Sequence, residues 1–495
     1  MHQQSYTYAN LIERNSIIYR NLPAFVIDNN TISHSEYAKR VSLLSQGFLD
    51  LGIKQGDRIA TLLLNGLELI EVIGAASYIG AIIVPLNWRL TQNELNFIIE
   101  DVDPRILISS HELISEKKIK ASTNCKILEI KKNGLDDIKG KFLCKPVHIA
   151  SENCLIIIHT NSTNGNPRGA MISHQGLLNQ AMQTALTWNL NSDDVNICAL
   201  PLFHIAGINI LLACQIVGGQ SKILAKFDPV KILNIIEYDK GSVIGTFPPM
   251  LSTLIDEAEK TETIFSGLRV IMGLDSPNII QKLQIKFPTS IFWSTYGQTE
   301  SSGSVTLSPF NKSPGSAGQQ LLCVQIKIIN EDGEILPENA VGEIIIRGPI
   351  VFLGYWGLEI ESKRILRDGW LHSGDLGTID QNGFLWFKGR MPEKYLIKTG
   401  GENVYPSEVE KVILSNPLVS EVAVIGVPDD KWGEAVMAIC ILTEGSKLSE
   451  QDLITYVGNK IAKYKQPKYV KFIKEIPKHN NGNVNMLLLN EILKL

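Results

Sequence analysis

Three short stretches bring together residue types able to handle a phosphorylated ligand. HTNSTNGNPRGAM, residues 159–171, sets Thr160, Thr163, Gly165 and Gly169 directly behind the apolar run at 155–158. Backbone N–H groups and hydroxyls on such a turn can wrap an anion with no bulky side chain in the way. Arg168 adds positive charge, as a planar fork where a phosphate cradle usually carries a lysine. The spacing GxxxxGK[ST] is absent, so the stretch by itself reads first as an ordinary polar loop. STYGQTE, residues 294–300, follows the apolar Ile291-Phe292-Trp293. The ring of Tyr296 is suited to stacking on a base, and Glu300 is a hard oxygen ligand suited to Mg²⁺ on phosphates. A lone glutamate at the start of a helix also has a plainer use, against the helix dipole. WLHSGDLGTID, residues 370–380, holds Asp375 in a glycine-rich turn. A carboxylate there can accept both hydroxyls of a ribose; alone, it is also an ordinary turn aspartate.

Bringing such residues to one site calls for strands that end at the same edge of a sheet. Ser33 and Glu36 have the spacing of a capping box ahead of a helix carrying Tyr37, Val41, Leu44, Phe48 and Leu51, with Gly52 as its stop. GDRIATLLL, a helix over 67–79 and the strand AIIVPL begin an alternation that continues through 105–109, 125–130 and 154–158. A second alternation places helices near 174–187, 207–216 and 229–238, and strands at 195–200, 221–224, 242–245, 268–272 and 290–293. The pattern predicts α/β layers with largely parallel sheets. After residue 320, VQIKIINEDGEIL, VGEIIIRG and GFLWFKGR predict a smaller, mostly antiparallel layer. Beyond Lys388-Gly389-Arg390 comes a compact α/β stretch. PSEVEKVILSN there is a helix capped by Ser407, VSEVAVIGV and AVMAICIL are strands, and SEQDLITYVGNKIA is a capped helix. The expected fold class is α/β. A large N-terminal domain over 1–389 has layered α/β subdomains plus a β-rich one, and a small mobile α/β domain covers 390–495.

The bulk numbers agree with a soluble enzyme. A chain of 495 residues is longer than one core normally fills. Apolar residues make up 44% and charged ones 20%, and the net charge of −4 gives no electrostatic case for nucleic acid or an anionic membrane. The cysteines at 125, 144, 154, 198, 214, 323 and 440 show no CxxC or CxH spacing, so buried thiols in a reducing cytoplasm are expected, not zinc or redox chemistry. The polar opening at 1–10 predicts no secretion signal. The longest apolar run, 72–86, is too short for a transmembrane segment and reads as a buried helix followed by a buried strand.

The order of the motifs carries more than any one of them. The loop at 160–169, ALPLFHIAG at 199–207, STYGQTE, SGD at 373–375, KGR at 388–390 and GGENVYPSEVE at 400–410 stand in one line. Together they resemble the ANL superfamily of adenylate-forming enzymes over roughly residues 30–485, with echoes in GDRIA, PLNWRL, GEIIIRGP, GYW and VIGVPDDKWGEAV. GGENVYPSEVE and YKQPKYVKF are most similar to the acyl-CoA synthetase branch, fatty-acid and aryl-acid CoA ligases. The resemblance implies ATP, Mg²⁺, coenzyme A and a small-molecule carboxylic acid, joined in two steps through an acyl-adenylate. It implies that Thr160, Thr163, Gly165 and Arg168 serve the ATP phosphates, although Asn161, Ser162, Asn164 and Arg168 itself depart from the family pattern. It puts Tyr296, Gly297 and Gly273 at the adenine, Thr299 on a phosphate and Glu300 on the metal. Asp375 and Arg390 fall at the ribose, and His204 is the gate beside the acyl carboxylate. Gly400, Gly401 and Glu402 form the loop that swings in for thioester formation, and Thr163, His204, Glu300 and Asn483 occupy the catalytic positions. Trp293, Ile205, Phe247 and Gly273 are expected to line the acid pocket. Ser276 in GLDSP is rejected as a phosphopantetheine site, because no helical carrier domain surrounds it.

Two departures bear on activity. MPEKYLIKT, between Arg390 and Gly400, is longer than the resemblance implies, and Glu393 is the nearest hinge candidate. In PKHNNGNVN, residues 477–485, Pro477, Lys478 and Gly482 match, but Asn483 replaces the lysine that neutralises charge as the acyl-adenylate forms. Losing charge stabilisation of that kind costs ~10²–10³-fold in rate, unless Lys394, Lys398 or Lys478 compensates. The leading reading is an ATP-dependent acid–thiol ligase with adenylation weakened at Asn483. The alternatives are a degenerate nucleotide or acyl-CoA binding paralogue and an acyl-AMP ligase that passes the acyl group to a carrier protein. The acid is not named by the sequence, and a homodimer stays open.

Overall fold

The computed structural model describes residues 6–28, 30–119, 125–131, 133–160, 167–391, 395–477 and 488–489. Thr163, Gly165, Glu393, Lys394, Lys478 and Asn483 lie outside these residues.

The apolar run at 72–86 shows how the layers form. The helix Leu67–Ile79 is buried from Leu69 onward, and Gly80 ends it at φ 70°. That left-handed conformation costs glycine little and other residues more. The chain then enters the fully buried strand Ile82–Pro85. This strand is parallel to Arg58–Leu62 and to Cys154–Thr160 in a seven-stranded sheet.

A nine-stranded sheet carries the second alternation. Gln220–Ile223, Val195–Cys198, Val243–Thr246, Val270–Gly273 and Ile291–Gln298 are parallel neighbours in that spatial order. Gly303–Pro309 adds an antiparallel strand beside the last. The helices His174–Thr187 and Ile205–Ile216 pack on each other and against Gly303–Pro309. The antiparallel layer expected after residue 320 is a third sheet, with Gln325–Ile329, Gly342–Arg347, Trp370–Ile379 and Leu385–Arg390. A separate sheet of Ile397–Thr399, Glu402–Val404, Val419–Asp429, Gly433–Leu442 and Tyr469–Phe472 makes up the small domain, with its own apolar core.

Local readings fail in a few places. Tyr405, not Ser407, caps the helix Pro406–Leu414, because Pro406 takes the first helical position, where its missing N–H is no loss. The helix after His204 begins at Ile205, two residues earlier than the pattern suggests. All seven cysteines are free, but Cys323 is exposed. Among the described residues no helix is long and apolar enough to cross a membrane.

Candidate active site

A cavity of about 910 Å³ opens where the parallel strands of the nine-stranded sheet end and the small domain closes over them. Strand ends of this kind are where open α/β sheets hold ligands. Thr160 ends its strand and pairs across the hairpin with Arg168, and both line the cavity. The Arg168 guanidinium lies 4.4 Å over the Tyr355 ring, and its Nε is buried without a hydrogen-bond partner. The Tyr355 hydroxyl donates to Glu300 Oε1 at 2.6 Å. Burial, and then the Glu300 charge, pushes that hydroxyl far above its ordinary range. Tyr355 thus links the loop's cation to the metal-ligand candidate; within GYW it carried no role in the sequence.

Tyr296 lines the cavity beside Gly297 and Thr299, and its hydroxyl donates to Asp375 Oδ2 at 2.8 Å. Asp375 faces Arg390 across neighbouring strands. Arg390 Nη1 is 3.2 Å from Asp375 Oδ1, yet that buried oxygen has no aligned hydrogen bond. The contact is therefore an electrostatic attraction that leaves a lone pair unsatisfied. Asp375 itself is 2% exposed and sits behind Tyr296 and Arg390, which form the wall.

The small domain reaches the site through Glu402. Its Oε1 is 3.2 Å from His204 Nε2 and accepts from Arg89 Nη1 at 2.6 Å. Burial alone would raise this carboxyl, but His204 and Arg89 together hold it down at about 2. His204 is the residue just before the helix Ile205–Ile216, at the cavity wall. Arg89 lay inside the PLNWRL echo with no role assigned. Gly401 lines the cavity against Phe247, whereas Gly400 packs on Trp432 and Pro248 and is off the wall. Lys398 also lines it, and burial, then Arg390, pushes its ammonium down to about 8. Ile205, Phe247 and Gly273 line the cavity as expected. Trp293 does not: its ring packs 6.5 Å from that of Trp188, which lines the wall instead. Ser276 Oγ accepts from Ile279 N and caps the helix Pro277–Lys286.

Known proteins match this arrangement. Residues 12–356 fit the family described as AMP-binding enzyme, and residues 408–483 fit the AMP-binding enzyme C-terminal domain. The chain belongs to the AMP-binding enzyme family. The 2-succinylbenzoate–CoA ligase of Bacillus cytotoxicus is 32% identical over 461 residues, 92% of each chain. The o-succinylbenzoate CoA synthetase of Bacillus subtilis, solved as a double mutant with the product analogue OSB-NCoA, superposes at a TM-score of 0.86. It is 26% identical, and the match covers 97% of this chain and 98% of that one. The same Bacillus subtilis enzyme with the acyl-adenylate OSB-AMP superposes at 0.70, with 26% identity and 97% of each chain covered. Identity and coverage being equal, the gap is one of spatial arrangement, and this AMP-binding enzyme is arranged as in the product-analogue complex. It is an ATP-dependent acid–thiol ligase of the adenylate-forming superfamily, in the acyl-CoA synthetase branch, and uses ATP and coenzyme A.

Proposed function

We propose that this AMP-binding enzyme activates an aryl carboxylic acid and transfers it to coenzyme A. The observation that carries this reading is Glu402 of the small domain lying on His204 and Arg89 at the cavity wall. A free carboxylate is a poor electrophile. Its oxygen attacks the α-phosphorus of ATP, the bond to pyrophosphate breaks, and acyl-AMP forms. The thiol of coenzyme A then attacks the acyl carbon, AMP leaves, and the thiol proton passes to solvent. An aryl acid is supported by the aromatic wall of Trp188, Phe203, Phe247 and Tyr296 and by the aromatic substrate in the relatives' names.

The residue roles belong to the same proposal. Arg168 and Thr160, with Thr163 and Gly165 from the loop between them, meet the phosphates. Tyr296, Gly297 and Gly273 meet the adenine, and Thr299 meets a phosphate. Asp375 Oδ1, buried and short of a donor, accepts from the ribose once Arg390 turns aside. His204 stands at the acyl carboxylate, and Gly400 and Gly401 face the thiol. Among the described residues no group of three or more His, Cys, Asp or Glu could hold a metal. Glu300, a hard oxygen ligand at the cavity wall, would hold Mg²⁺ beside phosphate oxygens and water, where the ion would neutralise phosphate charge. The division into 1–389 and 390–495 falls at the end of the strand Leu385–Arg390, one residue before its last pairing with the large domain, and Ile397 is already in the small sheet. A reducing, cytoplasmic setting rests on the seven free thiols.

The test is acid-dependent pyrophosphate exchange with a panel of aryl acids, followed by thioester formation on adding coenzyme A. Exchange should appear with at least one acid, and Asp375→Ala and Glu300→Ala should each reduce it by ~10²-fold or more. No exchange with any acid would point to a binding paralogue. Acyl-AMP that reacts only with a carrier protein would refute the acceptor.

A further inference from the structure

The end of the cavity reached along the helix Ile205–Ile216 has a chemistry of its own. Ile205, Ala206, Asn209 and Ile210 line the cavity from one face of that helix. Thr184 and Trp188, one turn apart at the end of His174–Thr187, line it from the packed neighbour. Asn209 is buried, and its Nδ2 donates to the Ser302 carbonyl at 2.7 Å. Only the amide nitrogen can donate to a carbonyl, so this bond fixes which way the carboxamide faces. It leaves Asn209 Oδ1 buried with no hydrogen-bond partner. Gly303, at φ 118°, makes the arrangement fit, since a Cβ there would fall 1.9 Å from Asn209 Nδ2. On the neighbouring helix Gln180 Nε2 donates to Thr184 Oγ1 at 3.2 Å, and the Trp188 indole N–H is buried without a partner.

Buried polar atoms left unpaired are costly, and native interiors keep few of them. Here an acceptor and a donor stand unpaired on two residues that line the same cavity. The lysines and arginines that line it, among the described residues, are Arg168, Arg364, Arg390 and Lys398. None belongs to either helix or to the strands Ile291–Gln298 and Gly303–Pro309.

We propose that this cavity selects an aryl acid with an uncharged hydrogen-bonding substituent, a phenolic hydroxyl, at the end opposite its carboxylate. Asn209 Oδ1 accepts from that hydroxyl, and Trp188 Nε1–H donates to its oxygen. The proposal rests on the ligase reading, with His204 at the carboxylate end. From His204 to Asn209 the helix rises about 7.5 Å, so an acid held by its carboxylate at His204 carries a para substituent along the helix toward Asn209. A second carboxylate, such as 2-succinylbenzoate carries, meets no cation there, and the lone pair of Asn209 opposes it. The selection thus differs from the substrate in the relatives' names.

The experiment compares acid-dependent pyrophosphate exchange with benzoate, 4-hydroxybenzoate, cinnamate, 4-hydroxycinnamate and 2-succinylbenzoate. Each hydroxylated acid should exceed its unsubstituted parent in kcat/KM by about 10- to 100-fold, the cost of leaving a buried partner unpaired, and should exceed 2-succinylbenzoate as well. Asn209→Leu, which keeps the shape and removes the acceptor, should bring the hydroxyl-to-parent ratio toward one. Trp188→Phe should lower the same ratio and provides the reading if Asn209→Leu fails to fold. Exchange with no hydroxyl preference, equal use of 2-succinylbenzoate, or an unchanged ratio in the folded variants would overturn the proposal and leave the ligase reading standing. No exchange with any acid would overturn both.

Discussion

Lys398 is the side chain whose charge this site holds least securely. Burial and the nearby Arg390 push its ammonium from 10.5 down to about 8, against the pull of Asp375 and Glu434. A lysine lowered in this way is charged below about 8 and loses its proton as pH rises through that value. It lines the same cavity as Gly401 and Glu402, so its charge bears on acyl transfer in this arrangement. The alkaline limb of the acyl-transfer rate is therefore expected to fall through pH ~8 in the wild type. Lys398→Arg should move that limb upward, since a guanidinium keeps its proton, and Lys398→Met should abolish it while lowering the plateau. An identical alkaline limb in Lys398→Met would remove Lys398 from this role.

At the scale of elements, a buried lysine ties the large domain to the small one. Lys465, 1% exposed, donates to Glu94 Oε1 of the helix Gln92–Val102 at 2.6 Å and lies 2.7 Å from Glu408 Oε2 of Pro406–Leu414. Its neighbours Ala462 and Tyr464 join the apolar cluster around that large-domain helix. Two carboxylates share one ammonium, and burial pushes Glu408 from 4.5 up to about 7 although Lys465 pulls it down. A raised carboxyl gives stability that is full below its ordinary value and lost as pH rises through the folded one. The small domain should therefore weaken between pH 4.5 and about 7. Lys465→Met leaves the buried Glu408 without its counter-charge and should cost the small domain about 3–5 kcal/mol in denaturant unfolding. Glu94→Gln removes only the partner across the domains. It should leave the small-domain transition in place while solution scattering shifts toward a more open particle, and an unchanged scattering profile would show that this ion pair does not hold the domains together.

For the whole molecule, the two Bacillus subtilis superpositions, at 0.86 and 0.70, set this chain in one of two arrangements. Here the loop with Gly401 and Glu402 is over the cavity. On the proposed roles, adenylation uses the segment around Asn483 instead, so the charge lost at Asn483 should slow acyl-AMP formation and spare the reaction of supplied acyl-AMP with coenzyme A. Asn483→Lys is expected to raise adenylation ~10-fold or more, about 1.4 kcal/mol off the barrier, with thioester formation unchanged. Single-turnover assays of each half-reaction check this; equal gains in both would mean that Asn483 acts on something other than the adenylation arrangement.

The strands, helices and motif order were legible because each is written locally. The helix over 67–79 is found at Leu67–Ile79, and the second alternation of strands is found within a few residues of its expected places. Such elements depend on hydrogen-bond periods of a few residues, and those periods leave a pattern in the chain. Ser407 misled only because Pro406 competed for the same helix start. The sequence also determined the family, and the four motif residues Arg168, Tyr296, Glu300 and His204 all line one cavity, each lying in or beside a turn where an element meets it. Tertiary structure alone decided the clasps: Glu402 meets Arg89 and His204 across 313 and 198 residues, and Lys465 meets Glu94 across 371. It also decided that Asp375 stands behind Arg390 and that Asn209 Oδ1 is left unpaired beside the cavity. Contacts that distant have no period to betray them; they exist only where packing brings two elements together, and the same local structure serves either arrangement of the domains.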